Sequence, residues 1–214
     1  MKKAKASVYE VENLNILYQK LAGKDKYLEM ILRNYGYPPI WVRSNSFETL
    51  VLIILGQQVS LASAYAAFKK LKEKISVTPA ALLQLSDQEL RSCYLSKQKI
   101  QYTRALANAI LDNQINLEEL SIQPEDMVRR KLKNIKGIGD WTIDIYLIHA
   151  LKRIDVFPTG DLALVNAIKM IKEVPAITKE ELIRMSLKWK PYRSLATLMF
   201  WHYYIKKKGI KFLH

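Results

Sequence analysis

Apolar residues recur at helical spacing along most of the chain, and no run alternates with the period of a strand. The spacing predicts two short helices over residues 11–21 and 27–32, split by Gly23. An irregular segment follows over 34–46, holding Gly36, Pro38 and Pro39. Ser46 stands as the N-cap of a longer helix that begins at Phe47, with Glu48 in its first turn, where a carboxylate complements the helix dipole. Gly56 interrupts that apolar run and the pattern resumes over 61–71. Ser86 with Glu89, and Thr178 with Glu181, have the spacing of capping boxes. Pro124 followed by Glu125 and Asp126 fits a first helical turn, and Pro191 can open a last long helix through about Tyr204. Residues 97–111 form another amphipathic segment, with Ile100, Ala105, Leu106 and Ile110 at helical spacing. There is no repeat of fixed period and no low-complexity stretch. The expected fold class is all-α, in two helical lobes.

Composition narrows the function. The chain has 214 residues, half of them hydrophobic, which suits one domain or two small lobes sharing a cleft and excludes a disordered chain. Lys and Arg number 34 against 20 Asp and Glu, a formal net charge of +14. Such a balance favours a polyanionic partner, nucleic acid first. The basic residues are spread over Lys2-Lys3, Lys69-Lys70, Arg129-Arg130-Lys131 and Lys206-Lys207-Lys208, so a folded basic face is expected rather than a charged tail. Cys93 is the only cysteine, which rules out an internal disulfide, a Cys-rich zinc site and a four-cysteine iron–sulfur cluster. Among Leu90, Tyr94 and Leu95 it reads as a small core residue in a reducing compartment. The opening MKKAKASVYE lacks an apolar core for a signal peptide, and residues 50–55 are far too short to span a bilayer. No membrane association or secretion is expected; the location would be cytoplasmic and nucleoid-associated in a prokaryote, nuclear in a eukaryote. His149, His202 and His214 have no ligand-like spacing and receive no role.

The most informative segment is 132–142, where a helix ends, Gly137-Ile138-Gly139 follows, and Asp140-Trp141-Thr142 opens another helix. Glycines permit a tight turn and leave the backbone bare, so a phosphate can approach the N–H groups at the start of the second helix. Ile135 and Ile138 would anchor the turn and Lys136 would add charge beside the anion. The expected phosphate-binding set is Lys136, Gly137, Ile138, Gly139 and Thr142. Downstream lies Asp161, after Pro158 and Gly160 and before an apolar helical run over 162–171. From the residues alone it is either a helix cap or a catalytic carboxylate.

The hairpin and the loop 156–161 resemble the DNA glycosylase superfamily named for its helix-hairpin-helix and a Gly/Pro-rich loop ending in aspartate. More narrowly, the chain resembles the 3-methyladenine DNA glycosylase II family. The resemblance rests on Phe47-Glu48-Thr49-Leu50, Ile54-Leu55-Gly56-Gln57-Gln58-Val59-Ser60, the hairpin, the Asp161 loop, and Trp189-Lys190-Pro191-Tyr192-Arg193-Ser194 running to Trp201. These stretches keep one order over 47–204. The resemblance implies a single domain of two helical subdomains, with the hairpin at the cleft between them. One subdomain would be the central lobe 47–155, and the other would combine 1–46 with 156–214. About 46 residues precede the first matching stretch and read as helix and loop, so the form expected is the compact one, without the N-terminal β-rich domain of larger relatives.

The resemblance also assigns roles. Asp161 falls on the catalytic aspartate, and one carboxylate suffices where an oxocarbenium-like sugar is stabilised and the leaving base is already cationic. Bifunctional members carry a lysine at the position of Trp141; tryptophan cannot form a Schiff base, so hydrolysis without strand cleavage is expected. Trp141 and Trp201 match aromatic positions of the base pocket, with Tyr146 and Tyr192 as weaker candidates; Ile145 stands where the best-known form has another pocket tyrosine. Gln57 and Gln58 fall in the wedge loop that fills the gap left by a flipped base, with Gln58 at the wedge position itself. Carbonyls of Lys133, Ile135 and Ile138 would hold a structural Na+ or K+, with no other cofactor. The expected partner is double-stranded DNA containing alkylated bases, bound by a monomer. Two alternatives stay open: a glycosylase for other damaged or deaminated bases, and a non-catalytic hairpin module that binds DNA structure.

Overall fold

The computed structural model describes residues 7–210. The basic pair Lys2-Lys3, the start of the opening segment and His214 lie outside the described residues. In chain order the α-helices are α1 (Leu14–Ala22), α2 (Lys26–Tyr35), α3 (Phe47–Leu55), α4 (Leu61–Lys74), α5 (Pro79–Gln84), α6 (Asp87–Ser92), α7 (Lys97–Leu111), α8 (Leu117–Ile122), α9 (Glu125–Lys133), α10 (Asp140–His149), α11 (Leu162–Lys172), α12 (Lys179–Ser186) and α13 (Arg193–Lys208). Among the described residues the one β feature is an isolated antiparallel bridge between Val8 and Arg153. The all-α expectation holds.

Caps explain where these helices start. From α3 to α8 each helix opens on a Ser, Thr or Asn whose side chain accepts a first-turn N–H: Ser46, Ser60, Thr78, Ser86, Ser96 and Asn116. Both expected capping boxes form, at Ser86/Glu89 and Thr178/Glu181. Helix α13 begins at Arg193, slightly past Pro191. Helices α5 and α8 are too short for periodicity to reveal them.

The chain divides into two compact units, residues 43–146 and residues 7–42 with 147–210. In the first, α3 is apolar all round and every residue but Glu48 is buried, which makes it the central helix, packed by α4 and α7. Truncating Leu50, which has no exposed surface, to Ala would cost about 2–5 kcal/mol. In the second, α13 is central: every residue from Ser194 to Tyr203 is buried, and α1, α2 and α11 pack on it. Helix α10 passes from the first unit into the second between Tyr146 and Leu147. The boundary expected at 155 therefore falls at 146. Residues 147–155 go with the second unit because they are tied to 7–10: Tyr9 Oη donates to the Ile148 carbonyl at 2.7 Å, and the Tyr9 N–H to the Lys152 carbonyl at 2.9 Å. No helix among the described residues is long and apolar enough to cross a membrane.

Candidate functional site

In the first unit the hairpin joins α9 to α10. Ile135 and Ile138 are buried and anchor it, as expected, while Lys136 is exposed. Gly137 has φ 89°, and a Cβ there would stand 2.0 Å from Cγ of Tyr102, so both the torsion and the ring of Tyr102 demand glycine. No sequence signal marks Tyr102 as the floor of the hairpin. At Gly139 the situation is the reverse: a Cβ would meet nothing within 4 Å. Space around exposed backbone at a helix start is what an approaching phosphate needs. Two ion pairs brace the helices on either side: Arg129 with Asp144 at 2.7 Å and Lys133 with Asp140 at 2.6 Å. Asp144 takes no role from the sequence alone. It is buried, and burial pushes its carboxyl up to about 6 despite Arg129. Thr142 is also buried, and its hydroxyl faces Gln57, so only its backbone remains to meet a phosphate.

The turn after α3 carries the two wedge candidates, and the structure separates them. Gln57 is half-buried and its amide nitrogen donates to the Gly137 carbonyl at 2.8 Å and to Thr142 Oγ1 at 2.9 Å. It is a brace, which corrects its reading as an inserting residue. Gln58 is exposed, with a left-handed φ of 58°, and is flanked by exposed Val59 and Leu61. An unbranched polar residue in that conformation carries some backbone strain. Trp141 is half-buried, and its ring edge lies 3.8 Å from where a Cβ on Gly56 would be.

The second unit holds the carboxylate. Asp161 is buried and is the N-cap of α11. Its Oδ1 accepts the Leu164 N–H at 2.7 Å and the indole N–H of Trp201 at 2.8 Å. The loop leading to it is fastened to the first turn of α13. Arg193 grips Asp155 through Nε to Oδ1 at 2.7 Å and Nη2 to Oδ2 at 2.9 Å. Ser194 Oγ donates to the Arg153 carbonyl at 2.6 Å and accepts the Val156 N–H at 2.8 Å. Trp201 sits two turns further along the same helix, so loop and indole share one scaffold. His149, given no role by spacing, stacks on Trp201 with rings 5.3 Å apart and 10° from parallel, its Nδ1 2.7 Å from the Trp41 carbonyl. The carbonyl only accepts, so that nitrogen carries a proton.

Residues 51–191 match the family profile described as HhH-GPD superfamily base excision DNA repair protein. The chain belongs to this superfamily. It is 30% identical over 186 residues to the Bacillus subtilis protein YfjP, provisionally named a DNA-3-methyladenine glycosylase, covering 81% of this chain and 64% of that protein. It is 29% identical over 191 residues to DNA-3-methyladenine glycosylase 1 of Schizosaccharomyces pombe, covering 85% of this chain and 83% of the relative. The solved structure of the S. pombe 3-methyladenine DNA glycosylase in complex with abasic DNA superposes with a TM-score of 0.81 at 25% identity, over 93% of this chain and 100% of that one.

In this HhH-GPD chain the remaining aromatic candidates differ in burial and in what covers their rings. Tyr146 has no exposed surface and its hydroxyl donates to Asn45 Oδ1 at 2.5 Å, so it is corrected from pocket wall to core residue. Tyr192 carries the Lys20 ammonium 5.2 Å from its ring centroid, which leaves that face a poor platform for a cationic base. Trp201 is buried, with one face covered by His149 and its edge turned to Asp161, and Trp141 is the more exposed of the two indoles. The HhH-GPD hairpin would offer a cation neutral backbone oxygens, the donor chemistry that suits Na+ or K+. The Ile135 carbonyl already accepts the Ile138 N–H at 3.1 Å and keeps a second lone pair for such an ion. Among the described residues no group of three or more His, Cys, Asp or Glu is disposed to hold a metal.

Proposed function

We propose that this protein is a monofunctional DNA glycosylase that flips alkylated purines, of the 3-methyladenine and 7-methylpurine type, from duplex DNA and hydrolyses the N-glycosidic bond. The observation that carries the reading is Asp161: a buried carboxylate whose Oδ1 is pinned by the Leu164 N–H and the Trp201 indole, on a loop bolted to α13. The names of the relatives support the substrate class.

The chemistry follows from one anion. As the C1′–N bond lengthens, the electron pair leaves with the base and positive charge gathers on the sugar. A carboxylate held in a dry site stabilises that charge without reorganising. An N-alkylated purine is already cationic and departs neutral, so no general acid is needed. Water then bonds to C1′ and gives up a proton, to Asp161 or to solvent, leaving an abasic site. Trp141, where bifunctional members carry lysine, offers no amine for a Schiff base. Its half-exposed indole would stack on the electron-poor base, and Gln58 would fill the vacated stack. The hairpin around Gly139 and Lys136 would hold the phosphates, and a monovalent cation on the carbonyls of Lys133, Ile135 and Ile138 would stiffen it. A monomer is sufficient for one lesion. The test is release of free 3-methyladenine and 7-methylguanine from methylated DNA by wild type and by Asp161→Asn. Release by wild type alone, with DNA binding kept by both, supports the reading; binding without release by either overturns it in favour of a DNA-binding module.

A further inference from the structure

We infer that Gln57 is a positioning residue that couples phosphate engagement at the hairpin to insertion of Gln58, so that seating the duplex and filling the stack are one event. The inference rests on the glycosylase reading above. Gln57 has two amide hydrogens and both are used, on the Gly137 carbonyl at 2.8 Å and the Thr142 hydroxyl at 2.9 Å. Because a carbonyl can only accept, it is the nitrogen of Gln57 that faces the hairpin. The two acceptors bracket Gly139, where the bare backbone awaits a phosphate. The next residue, Gln58, turns left-handed and points its side chain into solvent, so consecutive glutamines face opposite ways, one to the hairpin and one outward. The near end of the turn is held as well: the Lys99 ammonium donates to the carbonyl of Leu55, the last residue of α3. With Leu55 tied through its carbonyl, Gly56 through its N–H to the Leu52 and Ile53 carbonyls at 3.0 Å, and Gln57 through its side chain, Gln58 is the joint left to set the wedge's direction. A phosphate drawn onto the hairpin N–H groups acts on Gly137 and the first turn of α10. Through the two bonds of Gln57 that action reaches Gln58 directly.

The test compares Gln57→Leu, which keeps the volume and removes both donors, with Gln58→Ala and the double variant. Three quantities are read: affinity for undamaged duplex, the fluorescence of 2-aminopurine placed beside a tetrahydrofuran abasic analogue, and the single-turnover release of 7-methylguanine at saturating protein. For Gln57→Leu the expected result is undamaged-duplex affinity within about threefold of wild type, loss of most of the 2-aminopurine response, and release slowed about tenfold or more. Gln58→Ala should show the same signature, and the double variant should be no slower than the slower single variant, because both act on one step. If Gln57→Leu weakens binding to undamaged duplex but releases base at the wild-type rate when saturated, Gln57 only shapes the hairpin and the inference is overturned. Multiplicative losses in the double variant overturn it too. If Gln57→Leu does not fold by its thermal melt, Gln57→Glu, which sets an acceptor against the Gly137 carbonyl, is put through the same assays and must give the same signature. A wild type that excises normally beside an unaltered variant sinks this inference alone. A wild type that neither excises nor responds sinks the glycosylase reading and this inference with it.

Discussion

Two aspartates in the same unit are built with the same parts. Asp25 caps α2 and Asp161 caps α11, and each receives a tryptophan indole N–H, from Trp189 and Trp201, at 2.8 Å. The parts are shared out differently. At Asp25 the cap bonds from Tyr27 and Leu28 fall on Oδ1, while Oδ2 takes the indole together with the Lys188 ammonium at 2.7 Å. At Asp161 the cap and the indole converge on Oδ1. Burial works against the charged form of Asp25, but the bonds from Lys188, Trp189 and Tyr27 outweigh it and hold its carboxyl below the ordinary range. A cap plus an indole therefore fixes a carboxylate in space without deciding its task. A lysine spread across the second oxygen makes Asp25 part of the scaffold.

The comparison breaks or sharpens under substitution. The largest effect is expected from Asp161→Asn, which preserves the cap and the shape: methylpurine release should fall at least about a hundredfold with little change in melting temperature. The same change at Asp25 should leave saturating release rates near wild type and lower the melting temperature instead; a large catalytic loss there would erase the distinction. Next come the indoles. Trp189→Phe strips a donor from a fully buried oxygen and should cost about 1–3 kcal/mol in denaturant unfolding. Trp201→Phe should cost a similar amount and in addition slow the single-turnover rate, since it frees the carboxylate to rotate. Smaller effects come from pH. Asp25 is held below its unfolded value, so its ionised form adds stability above the ordinary carboxylate range. That contribution disappears as pH falls through the depressed folded value. The stability gap between wild type and Asp25→Asn should thus be widest near neutrality and close below about pH 4. Asp144 runs the other way. Its carboxyl is raised to about 6, so the folded state holds the extra proton and stability declines as pH rises from the unfolded value toward 6. The melting temperature of Asp144→Asn, relative to wild type, should therefore rise between pH 5 and 7. A flat difference would mean that Arg129 fully offsets the burial.

What could be read from the sequence was what is local. Ser46, the two capping boxes and the glycines of the hairpin act within a turn of themselves, and each is found where its spacing predicts. The order of motifs likewise led to the superfamily. Contacts that bridge distant stretches left no such trace. Gln57 meets its partners 80 and 85 residues away, and nothing in Gln57-Gln58 says which glutamine turns inward. Trp201 reads as an aromatic wall of the base pocket, and nothing near it in the chain tells that its edge meets Asp161, 40 residues back. Tyr146 was misread because an aromatic residue beside a hairpin resembles a pocket wall, whereas the helix phase turns it into the core against Asn45. Asp144 and Tyr102 were missed for the same reason: one helix turn decides whether a polar or aromatic side chain looks out or in, and their partners lie on other helices.

The fastening of the Asp161 loop to α13 has a consequence for how this protein breathes. The Val156 N–H is locked on Ser194 Oγ, and the Ser194 N–H on the Ile154 carbonyl at 3.1 Å. Neither amide can meet solvent unless the loop and the first turn of the central helix part company. In hydrogen–deuterium exchange the two should open together, with the slow kinetics of a buried helix rather than the rapid exchange of a surface loop. The carboxylate-bearing segment is then a loop in shape only; in its local stability it belongs to the helix that holds it.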